Sequence, residues 1–195
     1  KIHIISLDKR FSTEDAHSIL LMRLDGMGDL VLAIPAIRNI RRIFPQANIT
    51  ALVNKGLGEL ISSTSYVDNV LELSIPKNGL AGIIRFTSQL RKFRFDLAID
   101  LLTRSDWISA FILALARASC KAGYDVGLRS FFLNFRVRPF NETKYEVENV
   151  LDIVRTISGE PVDTSPLLPV ETRAQEFIGE RFKGWGIIDK ELLIG

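Results

Sequence analysis

The chain has one cysteine, Cys120, and only two histidines, His3 and His17, in 195 residues. A lone cysteine excludes a disulfide framework and a cysteine-based zinc site. With both histidines near the N-terminus, an internal histidine metal site or a Ser-His-Asp triad has little to work with, which disfavours much of hydrolase chemistry. Long apolar runs are missing as well. The longest, Trp107–Ala116, falls well short of the roughly 20 residues that cross a bilayer. The segment Lys1–Ser18 mixes Asp8, Lys9, Arg10, Glu14 and Asp15 and has neither a long apolar core nor a small-residue cleavage site, so it does not read as a secretory signal. Its Ile-His-Ile-Ile start reads equally as an edge strand or a tail. Neither sign of charge dominates: the net charge is +2. There is no run of clustered lysines, so nucleic acid is not expected as a partner.

What the chain does have is enough apolar residues, 47%, for a sizeable core. Charge is spread unevenly: Arg117–Lys144 carries six basic residues and two acidic ones, whereas the chain from Tyr145 onward carries five basic and ten acidic. The basic stretch is either a solvated loop or a surface facing an anion. Short branched-residue runs read as doubly buried parallel strands at Ile19–Leu24, Ile49–Val53, Val70–Ile75 and Leu97–Leu102. Helices are expected between and after them at Leu30–Phe44, Leu57–Ser65, Leu80–Phe93, Asp106–Ser119 and Tyr145–Ser158. The first places Val31, Ile34, Ile37, Ile40 and Ile43 on its apolar side, and Gly159 stops the last. Strand–helix alternation implies right-handed crossovers and an α/β, Rossmann-like doubly wound parallel sheet. The expected organisation is an extension over 1–17, an α/β domain over 18–160, a proline-rich linker and polar helix over 161–190, and at 191–195 the first strand of a further domain.

The informative segment is Ile19-Leu-Leu-Met-Arg-Leu-Asp-Gly-Met-Gly-Asp-Leu-Val, a strand that passes through a glycine-containing turn into a helix. In a doubly wound sheet this turn lies at the carboxyl edge, where ligands collect. A dinucleotide fingerprint fails here. Gly26 and Gly28 are followed by Val31 where a third glycine is needed, and Asp29 stands where a pyrophosphate would sit. The P-loop pattern is also absent. Asp29 has two readings, a helix N-cap and a general base taking a proton from an acceptor hydroxyl. Asp25, Asp29, Thr103 and Arg104 are expected to line one cleft, because the first and fourth strands are neighbours across the switch point. A three-carboxylate metal site from Asp25, Asp29 and Asp100 is a weaker option, and Asp106 reads as another N-cap. Cys120 and the rings of Phe131, Phe132, Phe135 and Phe140 read as core. The phenylalanines alternate with Arg129, Arg136 and Arg138, a pattern that also suits a membrane interface.

The stretch Ile19–Arg38, with Gly-Asp-Leu-Val-Leu-Ala-Ile-Pro at its centre, resembles the opening of the bacterial lipopolysaccharide heptosyltransferases of glycosyltransferase family 9. Later pieces follow in order: Phe44-Pro-Gln-Ala-Asn-Ile-Thr, Tyr66-Val-Asp-Asn-Val, Phe95-Asp-Leu-Ala-Ile-Asp, Arg129-Ser-Phe-Phe-Leu and Glu146-Val-Glu-Asn-Val-Leu-Asp. The resemblance implies the N-terminal half of a two-domain GT-B enzyme. Such an enzyme needs no metal or cofactor and transfers heptose, or a related sugar, with inversion from an ADP-sugar to a lipopolysaccharide core. It further implies that Asp29 is the general base, that Gly26, Met27 and Gly28 lie beside the acceptor with Thr103 and Arg104, and that Arg129 faces the acidic core. The donor site belongs to the other half, so the fragment alone is expected to be inactive. A cytoplasmic location, with peripheral contact at the inner membrane, goes with that activity. Two departures are visible: Leu102-Thr103-Arg104 replaces a Gln-Gly or His-Gly pair, and Tyr145 stands where many members have His. The rival readings are a non-catalytic α/β module binding a nucleotide or a partner, with Asp29 only a cap, and, less well matched, a phosphoacceptor receiver.

Overall fold

The computed structural model describes residues 5–6, 16–74, 80–137, 144–159, 162–165 and 172–186. Among the described residues seven strands form one sheet: β1 (Ile5–Ser6), β2 (Ser18–Arg23), β3 (Asn48–Asn54), β4 (Asn69–Leu73), β5 (Phe95–Asp100), β6 (Ala118–Tyr124) and β7 (Phe135–Val137). Their spatial order is β1-β7-β6-β5-β2-β3-β4. The strands β2 to β7 are parallel, and β1 pairs antiparallel with β7. Ile5 and Ser6 thus supply an edge strand, and the rest of the Ile-His-Ile-Ile start lies outside the described residues. The chain order reverses between β2 and β5, so the switch point falls where the sequence pattern places it.

Residues alternate between the two faces of each strand, and the core divides accordingly. On one face Ile19, Leu21, Ile49, Ala51, Val53, Leu97, Ile99, Cys120 and Ala122 pack under α1 (Met27–Ile43) and α5 (Glu146–Ser158). On the other, Leu20, Met22, Leu52 and Ala98 pack against Leu90 of α3 (Leu80–Leu90) and Ile112 and Leu113 of α4 (Trp107–Leu115). Short α2 (Gly58–Ser62) follows β3. Gly159 ends α5 in the left-handed conformation at φ 69°, the helix stop its sequence announces. Asp106 caps α4 by accepting from the Ser109 N–H at 2.7 Å.

Several expectations shift. Helix α1 starts at Met27, three residues earlier than the apolar rhythm suggests, and Val31 is exposed while Leu30, Ala33, Ile34, Ile37 and Ile40 are buried. The helix expected to reach Ser119 ends at Leu115, and β6 begins at Ala118. Small residues make β6 a poor strand former in isolation; its place inside the sheet decides its conformation. Phe131 and Phe132, read as core rings, are 80% and 42% exposed on a 3-10 helix over Gly127–Phe132. Phe135 is half-buried against the core, and Phe140 lies outside the described residues. Past α5, residues 162–165 are tied to α1: the Asn39 side chain donates to the Pro35 and Asp163 carbonyls and accepts from the Asp163 N–H, and Arg38 bonds the Ser165 carbonyl. A polar helix α6 (Thr172–Gly184) follows, and the strand expected at Glu191–Gly195 lies outside the described residues.

Candidate functional site

Arg23 is the last residue of the central strand β2, and only 2% of its side chain is exposed. A guanidinium there must find partners inside the protein. It donates to the Leu101 carbonyl and, from Nη2, to Glu146 Oε1 at 3.0 Å. Its Nη2 also lies 3.8 Å from Asp29 Oδ1, and its Nε 2.9 Å from Asp25 Oδ1. In the last pair the N–H is not aligned on the oxygen, so both atoms are buried without a hydrogen bond. Glu146 Oε1 also accepts from Thr103 Oγ1 at 2.9 Å. One cation therefore joins three carboxylates, from the turn, from the start of α1 and from the start of α5.

The turn Leu24–Gly26 carries the chain into α1. Gly26 is the N-cap, so the capping expectation for Asp29 needs correcting. Asp29 is the third helical residue, and its Oδ2 accepts from the Gly26 N–H at 3.4 Å, closing the turn from inside the helix. Its side chain keeps 37% exposure, the highest of the three carboxylates on Arg23. Asp25 is only 10% exposed. Burial pushes its carboxyl up to about 6 against the pull of Arg23, with Asp29 and Glu146 raising it and Arg104 lowering it. Because the folded chain holds this proton more tightly than an unfolded one, Asp25 favours folding below its ordinary value of 3.8 and loses that contribution as pH rises through about 6.

Gly28 has ordinary helical geometry, and a Cβ added there would meet nothing within 4 Å. The fold itself does not require glycine at this position. With Gly26 and Met27, which are also exposed, it forms an open rim beside the Asp29 carboxylate.

Strand parity sends Asp100 to the opposite face from Arg23. Wholly buried, it accepts from Arg129 Nη1 at 2.7 Å, from the Leu102 N–H at 3.1 Å and from the Ser109 hydroxyl. A metal site from Asp25, Asp29 and Asp100 is thereby overturned. Among the described residues no group of three or more His, Cys, Asp or Glu could hold a metal ion. Arg129 also departs from expectation. Instead of lying on a surface open to an anionic ligand it is 1% exposed and paired with Asp100, donating also from Nε to the Tyr124 carbonyl and from Nη2 to the Arg104 carbonyl. Where Gly127 passes Ser105, an added Cβ would lie 2.1 Å from the Ser105 hydroxyl, and the left-handed φ of 61° independently favours glycine. These contacts hold the Arg104 loop against the 3-10 helix and leave the Arg104 side chain exposed beside the cleft. Thr103 is buried and serves Glu146.

A crystal structure of a glycosyl transferase family 9 protein from Veillonella parvula matches 98% of this chain with a TM-score of 0.74 at 16% identity. The fold is that of glycosyltransferase family 9. The structure of Escherichia coli heptosyltransferase WaaC with ADP-2-deoxy-2-fluoro heptose matches over 76% of the chain, with a TM-score of 0.62 and 21% identity. In sequence, the lipopolysaccharide core heptosyltransferase OpsX of Haemophilus influenzae is 28% identical over 139 residues, 66% of this chain. Sequence and fold thus agree on the resemblance to the heptosyltransferases. No family model matches the chain. It spans 38% of OpsX, 54% of the Veillonella protein and 50% of WaaC.

The structure brings Asp25, Asp29 and Arg104 to one edge, with Gly26, Met27 and Gly28 around them. Sequence reasoning missed Arg23 and gave Glu146 no role. The available signal was a charge at the end of an otherwise apolar strand, which folding can bury only with a counter-charge. Arg129→Met removes one partner of the buried Asp100 pair and is expected to destabilise the chain by about 3–5 kcal/mol. Urea unfolding measures this; a loss under about 1 kcal/mol would show that Arg129 does not hold the loop.

Proposed function

We propose that this chain is the acceptor half of an inverting glycosyltransferase that moves a heptose, or a related sugar, from an ADP-sugar onto a lipopolysaccharide core. The observation that carries the reading is the placement of Asp29. A partly exposed carboxylate stands at the carboxyl edge of the switch point, turned to the solvent side of a buried arginine and bordered by an open rim of Gly26, Met27 and Gly28. Asp29 takes the proton of an acceptor hydroxyl as that oxygen attacks the anomeric carbon from the side opposite the departing ADP, which inverts the configuration. Arg104, exposed at the same edge, contacts the anionic acceptor. Thr103 and Arg129 act behind it, through Glu146 and the Arg104 loop.

Donor binding is assigned to the remainder of a full-length protein, since this chain spans about half of each solved relative. The fragment alone is expected to bind acceptor without transferring sugar. For contact with a membrane surface, the supporting feature is an apolar groove of about 240 Å³ between α4 and the 3-10 helix, lined by Trp107, Phe111, Leu128, Phe131 and Phe132. It starts beside the Arg104 loop, and Lys121 is anchored at its far end on the Ala114 carbonyl. Among the described residues no helix is long and apolar enough to cross a membrane.

In the full-length enzyme, Asp29→Asn is expected to lower kcat by about 10²–10⁴-fold, the range for losing a general base; near wild-type turnover would remove the assignment. Gly28→Ala is expected to raise the stability of the chain by about 0.5 kcal/mol, as Ala replaces Gly in a helix, while KM for the acceptor rises. An unchanged KM would show that the rim is not the acceptor site. Anionic vesicles are expected to sediment the wild-type chain and to lose a Phe131→Ser, Trp107→Ser variant, whereas equal sedimentation would exclude the groove from membrane contact.

A further inference from the structure

Arg23 has one positive charge and three carboxylates to serve, and the geometry ranks them. Glu146 has a direct hydrogen bond at 3.0 Å, Asp29 lies at 3.8 Å, and Asp25 faces Nε at 2.9 Å without a hydrogen bond. We propose that Asp25 is a positioning residue for Asp29: by taking up or releasing a proton, it sets how much of the Arg23 charge is left for the Asp29 carboxylate. The inference deepens the reading of Asp29 as the base and rests on it.

Burial decides which carboxylate holds a proton. Asp25 and Arg23 are nine-tenths or more buried, and their facing atoms, Asp25 Oδ1 and Arg23 Nε, reach no water. Taking all three carboxylates to the charged state beside one guanidinium leaves excess negative charge in a poorly solvated place. The groups acting on Asp25 come from every surrounding element: Arg23 at the end of β2, Asp29 on α1, Arg104 in the loop after β5 and Glu146 on α5. On β3, neutral Asn54 holds the Asp25 carbonyl at 3.1 Å and so fixes the backbone of the turn. With Asp25 neutral, the Arg23 charge serves Glu146 and Asp29. With Asp25 ionised, a third anion competes for the same guanidinium and the cation's hold on Asp29, 3.8 Å away, weakens. The change falls near pH 6, where Asp25 titrates. Its ordinary value of 3.8 would place that change about two pH units lower.

The test is an NMR titration of the full chain that follows the carboxyl carbons of Asp25, Asp29 and Glu146 and the Nε–H of Arg23. No transfer reaction enters it, so its failure is separate from a failure of the base assignment, which kinetics alone decides. In the wild-type chain the Asp29 carbon and the Arg23 Nε–H are expected to show an inflection at the Asp25 midpoint. Asp25→Asn is expected to abolish both inflections. Asp29→Asn is expected to move the Asp25 midpoint down by about half a pH unit or more, because Asp29 is one of the charges that raise it. An Asp29 carbon that does not respond at the Asp25 midpoint overturns the proposal, as does an inflection that survives in Asp25→Asn. If that variant does not fold, the wild-type titration and the Asp29→Asn shift decide the question. The Asp29 carbon is the deciding readout: Arg23 Nε–H, 2.9 Å from Asp25 Oδ1, senses that carboxylate ionise whatever its role, whereas a merely structural Asp25 would leave the Asp29 carbon without an inflection at the Asp25 midpoint.

Discussion

The carboxyl edge of this sheet depends on burying one guanidinium. Arg23 ends the central strand with almost no exposure, and an arginine in that position is tolerated only if nearly every donor and its charge are answered from within. The answers come from segments far apart in the chain: the Leu101 carbonyl after β5, Glu146 at the start of α5, and Asp25 and Asp29 from the turn and first helix. Arg23 thereby draws α1, α5 and the β5 loop to the switch point. The exposed carboxylate of Asp29 is a consequence of that arrangement.

Strand parity keeps a second ionic cluster apart from the first. Residues 19, 21 and 23 of β2 face α1 and α5, whereas 98 and 100 of β5 face α4. Asp100 is committed to Arg129 and Ser109, and Arg129 in turn fixes the backbone of Tyr124 and Arg104. The two clusters differ in what they leave open. The Asp100 pair is sealed and shapes the loop. In the Arg23 cluster Asp29 is the member most open to water and to a ligand.

The fold was largely legible because β2, β3 and β5 are short apolar runs rich in branched residues, the pattern of buried parallel strands, and alternate with longer helical segments. The strand β6, Ala-Ser-Cys-Lys-Ala-Gly-Tyr, was not, since its conformation comes from its neighbours rather than its residues. At the site, the Gly-Met-Gly-Asp turn singled out Asp29 as a candidate, and the strand order placed Arg104 at the same edge, near Asp25. Arg129 misled because a basic residue in a basic stretch reads as exposed. Nothing local reveals that Asp100, 29 positions away in sequence, claims it. Phe131 and Phe132 misled in the opposite sense, since aromatic rings read as core and these lie on the surface. In both cases the deciding contact, or its absence, is long-range.

The central claim is that the Asp29 rim binds the acceptor and that nucleotide binds elsewhere. The most direct measurement is an amide chemical-shift titration of the chain with a lipopolysaccharide core oligosaccharide and, separately, with ADP. The account predicts that the oligosaccharide shifts Gly26, Met27, Gly28, Asp29 and Arg104 and that ADP leaves them unmoved. Shifts of those residues by ADP, with none by the oligosaccharide, would contradict it and favour a nucleotide-binding module.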